Sequence, residues 1–201
     1  MQKPVPSTDQ CLHYIEQYQM LDNIRAHSYL VARVAEVLLD QLHKSKRTSG
    51  TLPDKNTVIA GALLHDIAKT ECIKTNCHHA KVGQRICEDL GHPEIGEIVA
   101  EHVVLSSFRQ DLYEDGIFGA KELVFYSDKR VNHDQVVSLP ERLEYIIARY
   151  GKGDSTKEHH IRLNFNRTIE FEKYLFKYLN FNPSQLSQQI SKNKFYTAAT
   201  R

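Results

Sequence analysis

His65 and Asp66 close the most apolar run in the chain, Val58-Ile59-Ala60-Gly61-Ala62-Leu63-Leu64. On a helix His65 shares a face with Val58, Gly61 and Ala62, and Asp66 shares one with Ile59, Ala62 and Leu63. Polar residues take core positions elsewhere too. His27 leads a stripe of Leu30, Val31 and Val34, His102 follows Ile95, Ile98 and Val99, and Asp128 follows Val124 and Phe125. Burying an unpaired carboxylate costs several kcal/mol or forces its neutralisation. Inward carboxylates and imidazoles therefore need a common partner, and a divalent cation satisfies all of them together. Mixed imidazole and carboxylate donors suit manganese, iron, cobalt, nickel or zinc better than magnesium or calcium. Adjacent helical side chains diverge by about 100°. His65 and Asp66 can thus approach one ion from two sides, or the carboxylate can bridge two ions.

Taken singly, each residue has a plainer reading. A lone inward histidine is usually hydrogen-bonded core, and Asp128 could pair with Lys129 or Arg130. His133-Asp134 has no apolar helical context and reads as loop or surface. Only the joint occurrence points to a metal.

The elements that must position these groups are helices, because apolar residues recur at three- and four-residue steps and no stretch alternates as a strand would. A first helix opens after Ser7, which has capping-box spacing to Gln10. A second covers about Asn23 to His43, followed by a polar loop from Lys44 to Pro53. A third starts near Asp54 and is apolar nearly all round, as a central helix should be. Further helices are expected from His79 to Leu90, from Pro93 onward, and from Ala120 to about Val131. Leu105 to Gly119 reads as a mixed surface loop that could cover a substrate entrance. Ser138 with Glu141, and Ser155 with Glu158, have capping-box spacing and open two more helices. The last carries the stripe Ile161, Phe165, Ile169, Leu175, Phe176 and Leu179, read as packing on the main domain or on a second copy of the chain. Ser187 to Arg201 looks loosely ordered.

Bulk properties set the frame. A chain of 201 residues can bury a full core without staples. A net charge of +1 gives no general case for nucleic-acid or membrane binding. With no apolar run near the ~20 residues of a membrane span, a cytoplasmic location is expected. Cys11, Cys72, Cys77 and Cys87 are then expected as free thiols. Cys72 and Cys77 beside His78 and His79 raise the alternative of a small zinc site, but their spacing is too long for a common zinc knuckle.

The segment Gly61-Ala62-Leu63-Leu64-His65-Asp66-Ile67-Ala68-Lys69 resembles the signature of the HD-domain superfamily of metal-dependent phosphohydrolases. The family's other elements occur in order: His27 upstream, His79 in His79-Ala80-Lys81-Val82-Gly83, His102 in Glu101-His102-Val103-Val104, and Asp128 in Tyr126-Ser127-Asp128-Lys129-Arg130-Val131. The resemblance implies an all-α bundle around a central metal over residues 20–150, with a C-terminal helical extension over 151–201. It implies His27, His65, Asp66 and Asp128 as core metal ligands, with His79 and His102 added in members that hold two ions. Asp66 and Lys69 match the family's catalytic aspartate and phosphate-contacting lysine. Arg130, half a turn past Asp128, is added from its position as a second anion contact, with a surface ion pair as the plainer reading. The chain has no Gly-Tyr-Pro triplet, so the cyclic-di-GMP branch is not supported.

The expected activity is hydrolysis of a phosphomonoester or phosphodiester of a nucleotide or related small molecule, using one or two divalent transition-metal ions. Three alternatives stand beside it. They are a di-iron oxygenase of the same fold, a non-catalytic nucleotide or metal sensor, and a helical bundle whose core histidines bind nothing.

Overall fold

The computed structural model describes residues 4–45, 47–48 and 50–191. Among the described residues the secondary structure is helical apart from one small hairpin. The helices are α1 (Thr8–Gln17), α2 (Asp22–Lys44), α3 (Lys55–Leu64), α4 (Lys69–Thr75), α5 (His79–Asp89), α6 (Pro93–Glu101), α7 (Gln110–Glu114), α8 (Ala120–Lys129), α9 (Leu139–Ile146), α10 (Ser155–Phe176) and α11 (Leu186–Ser191). Strands β1 (Val131–Asn132) and β2 (Gln135–Val136) pair antiparallel between α8 and α9.

Helix α3 is the axis. Every residue from Thr57 to Leu64 is buried, and α1, α2, α6 and α8 all pack against it. Asp54 caps it by accepting from the Thr57 N–H at 3.0 Å. Helix α6 lies between α3 and α5, and two glycines set how close it comes. A Cβ on Gly61 of α3 would sit 2.7 Å from Ile98 Cγ2, and one on Gly83 of α5 would sit 2.8 Å from Val99 Cγ1. Their missing side chains let the three helices close up at the end where His65, His79 and His102 lie.

The capping boxes at Ser7 and Ser138 form as the sequence indicates. The third does not. Asp154, one residue earlier, caps α10 by accepting from the Thr156 and Lys157 N–H groups, and Ser155 is already helical. Asp and Ser cap about equally well, and here the helix opens one residue earlier, on Asp154.

Other expectations are corrected. Leu105 to Gly119 is not a loose cover: it contains α7, and Tyr113 and Phe118 are almost fully buried. Both rings pack on Phe171 of α10, with centroids 5.1 and 5.7 Å away. The buried residues of α10 are Phe165, Thr168, Phe171 and Leu175, while Ile161, Ile169 and Phe176 are only partly buried. Cys72 and Cys77 are joined in a disulfide across the end of α4, whereas Cys11 and Cys87 are free and buried. At the C-terminus, α11 is ordered and buries Leu186. The rest of the segment expected to be loose, residues 192–201, lies outside the described residues. Among the described residues no helix is long and apolar enough to cross a membrane.

Candidate metal centre

The first local fact is how two helices end. Helices α3 and α6 stop at His65 and His102, each of which is the C-cap. The last carbonyls of a helix lack internal partners. Here His65 Nδ1–H donates to Ala62 O at 2.7 Å and His102 Nδ1–H donates to Val99 O at 2.6 Å. A carbonyl cannot donate, so each bond fixes the proton on Nδ1 and leaves Nε2 bare. His27, in the second turn of α2, is oriented alike: its Nδ1–H donates to His133 O at 3.2 Å. Three imidazoles thus turn lone pairs toward one place, the arrangement that prepares histidines for a metal.

Asp66 sits between them, 1% exposed. Its Oδ2 lies 3.3 Å from His65 Nε2 and 4.0 Å from His27 Nε2. Asp128 Oδ1 closes that side, 3.0 Å from His27 Nε2 and 3.8 Å from His65 Nε2. The other carboxylate oxygen of Asp66, Oδ1, faces His79 Nε2 at 3.5 Å and His102 Nε2 at 3.6 Å. The two Nε2 atoms of His79 and His102 are 3.1 Å apart. Two donor clusters therefore share one carboxylate: His27, His65 and Asp66 on one side, with Asp128 beside them, and Asp66, His79 and His102 on the other.

The donor chemistry fits a cation. Buried polar atoms are nearly always paired, yet His65 Nε2 and Asp66 Oδ1 are buried and find no hydrogen-bond partner among the described residues. These are the atoms at the middle of the two clusters. Either cluster could hold a metal ion, and the mix of nitrogen and oxygen donors is that of a transition metal.

Charge follows the same logic. Burial works against ionised Asp66, but Lys69 first, then His65 and His102, outweigh it and hold its carboxyl well below the ordinary range. Burial also opposes ionisation of Asp128, and Lys129, then His27 and His65, overcome it. Burial dominates at His27 and His102, lowering both, and lowers His79 to about 4. His65 is the exception: burial pushes it down, but Asp66 and Asp128 together raise it. The site thus keeps two anions and mostly neutral imidazoles, the protonation state metal binding requires.

Lys69, in the first turn of α4, donates to Asp66 Oδ2 at 2.7 Å, and its side chain is 26% exposed. Lys129 is buried, donating to Asp128 Oδ2 at 2.7 Å and to the His102 carbonyl at 2.9 Å. It ties the two clusters together through α8. The sequence offered Lys129 only as a candidate ion-pair partner of Asp128, which it is, and not as a buried tie to the His102 carbonyl, because a lysine in the core is rare. Its place one residue from an inward aspartate was the available signal.

Arg130 does not reach the centre. Its guanidinium is buried, donating to Glu172 Oε2 at 2.8 Å, to Val137 O at 2.8 Å and to Pro183 O at 2.9 Å. Arg130 Nη1 also meets the Tyr126 hydroxyl. These contacts join α8 to α10 and to the segment before α11. These four bonds take most of its five N–H donors and hold its guanidinium toward α10, away from the metal centre.

A cavity opens beside the centre. It is lined by His27, Asp66 and Lys69, and by Asn132, His133, Arg142, Tyr145, Arg149 and Tyr150 from the hairpin, α9 and the helical turn that follows α9. No residue of the 105–119 segment lines it. His133 was read from the sequence only as loop or surface, and it does lie in the exposed turn of the hairpin; the other lining residues of the hairpin and α9 were not singled out. Once the Ser138 capping box sets the start of α9, Arg142, Tyr145 and Arg149 fall three and four residues apart on one face. That spacing was a legible signal.

Comparison with curated proteins and with solved structures returns no match to the chain. The family model for the HD domain matches residues 24–130. The matched stretch is more than half of the chain and carries all six clustered side chains, from His27 to Asp128. This chain therefore belongs to the HD-domain family, whose members are generally metal-dependent phosphohydrolases.

Proposed function

We propose that this chain is a metal-dependent phosphohydrolase that cleaves a phosphate ester of a nucleotide or a related small phosphorylated molecule. The observation that supports it most is the shared carboxylate. Each oxygen of Asp66 faces its own pair of imidazoles, and the buried atoms at the middle have no other partner. His27, His65, Asp66 and Asp128 would hold one ion, and Asp66, His79 and His102 a second. Manganese, iron, cobalt, nickel and zinc all suit this donor set. When bound, such ions supply Lewis acidity at a phosphoryl oxygen and acidify an adjacent water.

The chain's own residues do the rest. Lys69 stays charged because Asp66 more than offsets the cost of its burial. It adds a positive charge on the cavity wall, where a non-bridging phosphoryl oxygen would gather charge in the transition state. Asp66 would be the ligand shared by the two ions, and through its Oδ2 it also holds the Lys69 ammonium at 2.7 Å beside the reacting group. Lys129 holds Asp128 in place through its ammonium.

The test is a metal and substrate matrix. Purified protein with manganese, iron(II), cobalt or nickel is offered phosphomonoesters, cyclic nucleotides and dinucleoside polyphosphates, with Asp66→Ala alongside. Release of phosphate or nucleotide by the wild type alone is expected and names the substrate class. Oxygen uptake by the iron form without phosphate release would replace this reading with an oxygenase. Tight nucleotide binding with no turnover would replace it with a sensor.

A further inference from the structure

Within the cavity beside the metal centre, Arg142 is out of keeping with its surroundings. Its side chain is 8% exposed, and its Nη2 reaches to 4.0 Å from Asp128 Oδ1. Nη1 donates to Asn132 Oδ1 at 2.8 Å, while the buried Nε has no partner among the described residues. A guanidinium has five N–H donors in a rigid fork, and leaving a buried donor unmade is costly. Tyr145 backs it, with its ring centroid 5.3 Å from the guanidinium carbon. A planar cation, braced by an aromatic ring and an amide, with donors to spare, suits a phosphate group received two-pronged. Lys69, by contrast, is a point charge that already gives one of its three N–H donors to Asp66 at 2.7 Å.

The helix carrying Arg142 changes form as it passes the cavity. Helix α9 ends at Ile146 and the chain continues as a π turn over Ile147–Gly151. A π turn is wider than an α turn and advances less per residue. Both Arg149 and Tyr150 can then line the cavity along with Arg142 and Tyr145. Single π turns occur often at functional sites.

The cavity also has apolar edges that the metal chemistry leaves unused. Tyr150 is 50% exposed and Ile73 is 63% exposed, and both line it. Large apolar groups left open beside a cationic receptor are what a flat aromatic ring attached to a phosphate would cover.

We propose that this face, made by α9 and its π turn, is a nucleoside-phosphate subsite. Arg142 grips the phosphate beside the metal centre, Tyr150 stacks on the base, and Arg149 adds positive charge at the mouth. The inference rests on the phosphohydrolase reading of the centre for its biological sense. Its test, however, is binding and needs no turnover.

The probes are two hydrolysis-resistant phosphonates, one carrying adenosine at its 5′ position and one a bare methylphosphonate. Each is titrated calorimetrically into the manganese-loaded protein. Wild type should bind the nucleoside phosphonate at least ~10-fold more tightly than methylphosphonate, since stacking on an aromatic ring gives a preference of that order. Tyr150→Ala, at an exposed position that folding tolerates, should remove most of that preference and leave methylphosphonate binding unchanged. Arg142→Gln should weaken both probes at least ~10-fold at unchanged metal content, and Arg142→Lys should recover only part of the loss.

Equal binding of the two probes by wild type would overturn the proposal. So would a Tyr150→Ala variant that keeps the preference, or an Arg142→Gln variant that binds methylphosphonate normally. If Arg142→Gln fails to fold, Tyr150→Ala and Arg142→Lys decide the matter. Absence of phosphoester turnover with every metal, while both probes bind as expected, would fail the phosphohydrolase reading and leave the subsite standing.

Discussion

Replacing Asp66 by asparagine exchanges one oxygen for an amide nitrogen and leaves the side chain's volume nearly untouched. Because Asp66 belongs to both donor clusters, this one change should disable both. An ion present at 100 times its Kd stabilises the folded state by about 2.7 kcal/mol. For a chain of this size 1 kcal/mol corresponds to roughly 2–4 °C, so each bound ion should raise the wild-type melting temperature by about 5–11 °C on saturation. For Asp66→Asn the rise should vanish, and metal should be lost on gel filtration. The metal-free variant should suffer much less. Its lost partner, Lys69, has a side chain 26% exposed and can turn its ammonium into the cavity. The cost therefore belongs near the solvated-pair end, about 1 kcal/mol, and not at the ~3–5 kcal/mol of a sealed pair. His79→Ala is the companion, since it leaves His27, His65, Asp66 and Asp128 intact and should retain one ion. Elemental analysis of the desalted proteins and paired thermal melts read all of this. An Asp66→Asn protein with wild-type metal content, or with the full upshift, would refute the shared-carboxylate reasoning.

The metal-free protein should lose stability as pH falls from 6.5 toward 4. Burial lowers folded His79 to about 4 from 6.5, so the unfolded chain takes the proton first, a loss reaching about 3 kcal/mol at the low end. His27 and His102 act in the same sense, while raised His65 opposes them; calorimetry showing flat stability from pH 7 to 4.5 would contradict this. Arg130→Met should leave Glu172 without its cation, lowering stability by roughly 3 kcal/mol with metal content per folded molecule unchanged; loss of metal at unaltered stability would put Arg130 back at the centre. Opening the Cys72–Cys77 bridge, by Cys72→Ser or by reductant, should cost about 2 kcal/mol for so short a loop, and melts in the presence and absence of dithiothreitol should converge for the variant only. Gly61→Ala would push a Cβ to 2.7 Å from Ile98 Cγ2 and should cost about 1–3 kcal/mol. Adding Ile98→Ala should then cost less than it does in the wild type; plain additivity of the two would show that the close approach is not the cause.

Much of the centre was legible because a metal site violates the hydrophobic pattern. His27, His65, Asp66, His102 and Asp128 stood out as polar residues on apolar stripes, and those stripes became buried helix faces. His79 gave no such signal. It opens α5 with a side chain 29% exposed, and only the family resemblance pointed to it. Helix α4 was missed because its apolar residues do not form a stripe: Cys72 is buried and Ile73 faces the cavity. The hairpin was missed because strands of two residues are too short to show alternation. The carbonyl that orients His27 belongs to His133, which sits in the left-handed region at φ 54°. A main-chain acceptor in a turn leaves no trace in residue type. Arg130 makes the ion pair that was its plainer reading, but with Glu172 and largely buried, because its partners, Glu172 and Pro183, come from more than forty residues away.

The repeated ending of α3 and α6 explains why so much of the centre depends on so few elements. A helix that stops inside a core must satisfy its last carbonyls, and at both ends a histidine three residues beyond an orphan carbonyl does so. The same hydrogen bond settles the tautomer, so termination of the helix and presentation of the ligand are one event. The two ends meet because Gly61 admits Ile98 between the helices, and Lys129 bonds the His102 carbonyl while pairing with Asp128. Ligand positions are therefore set by helix packing and not by loops. The cavity beside the centre is built differently, on the hairpin, α9 and a π turn. On the proposed reading, that division would let recognition vary along α9 while the ligand positions stay fixed by the buried helices.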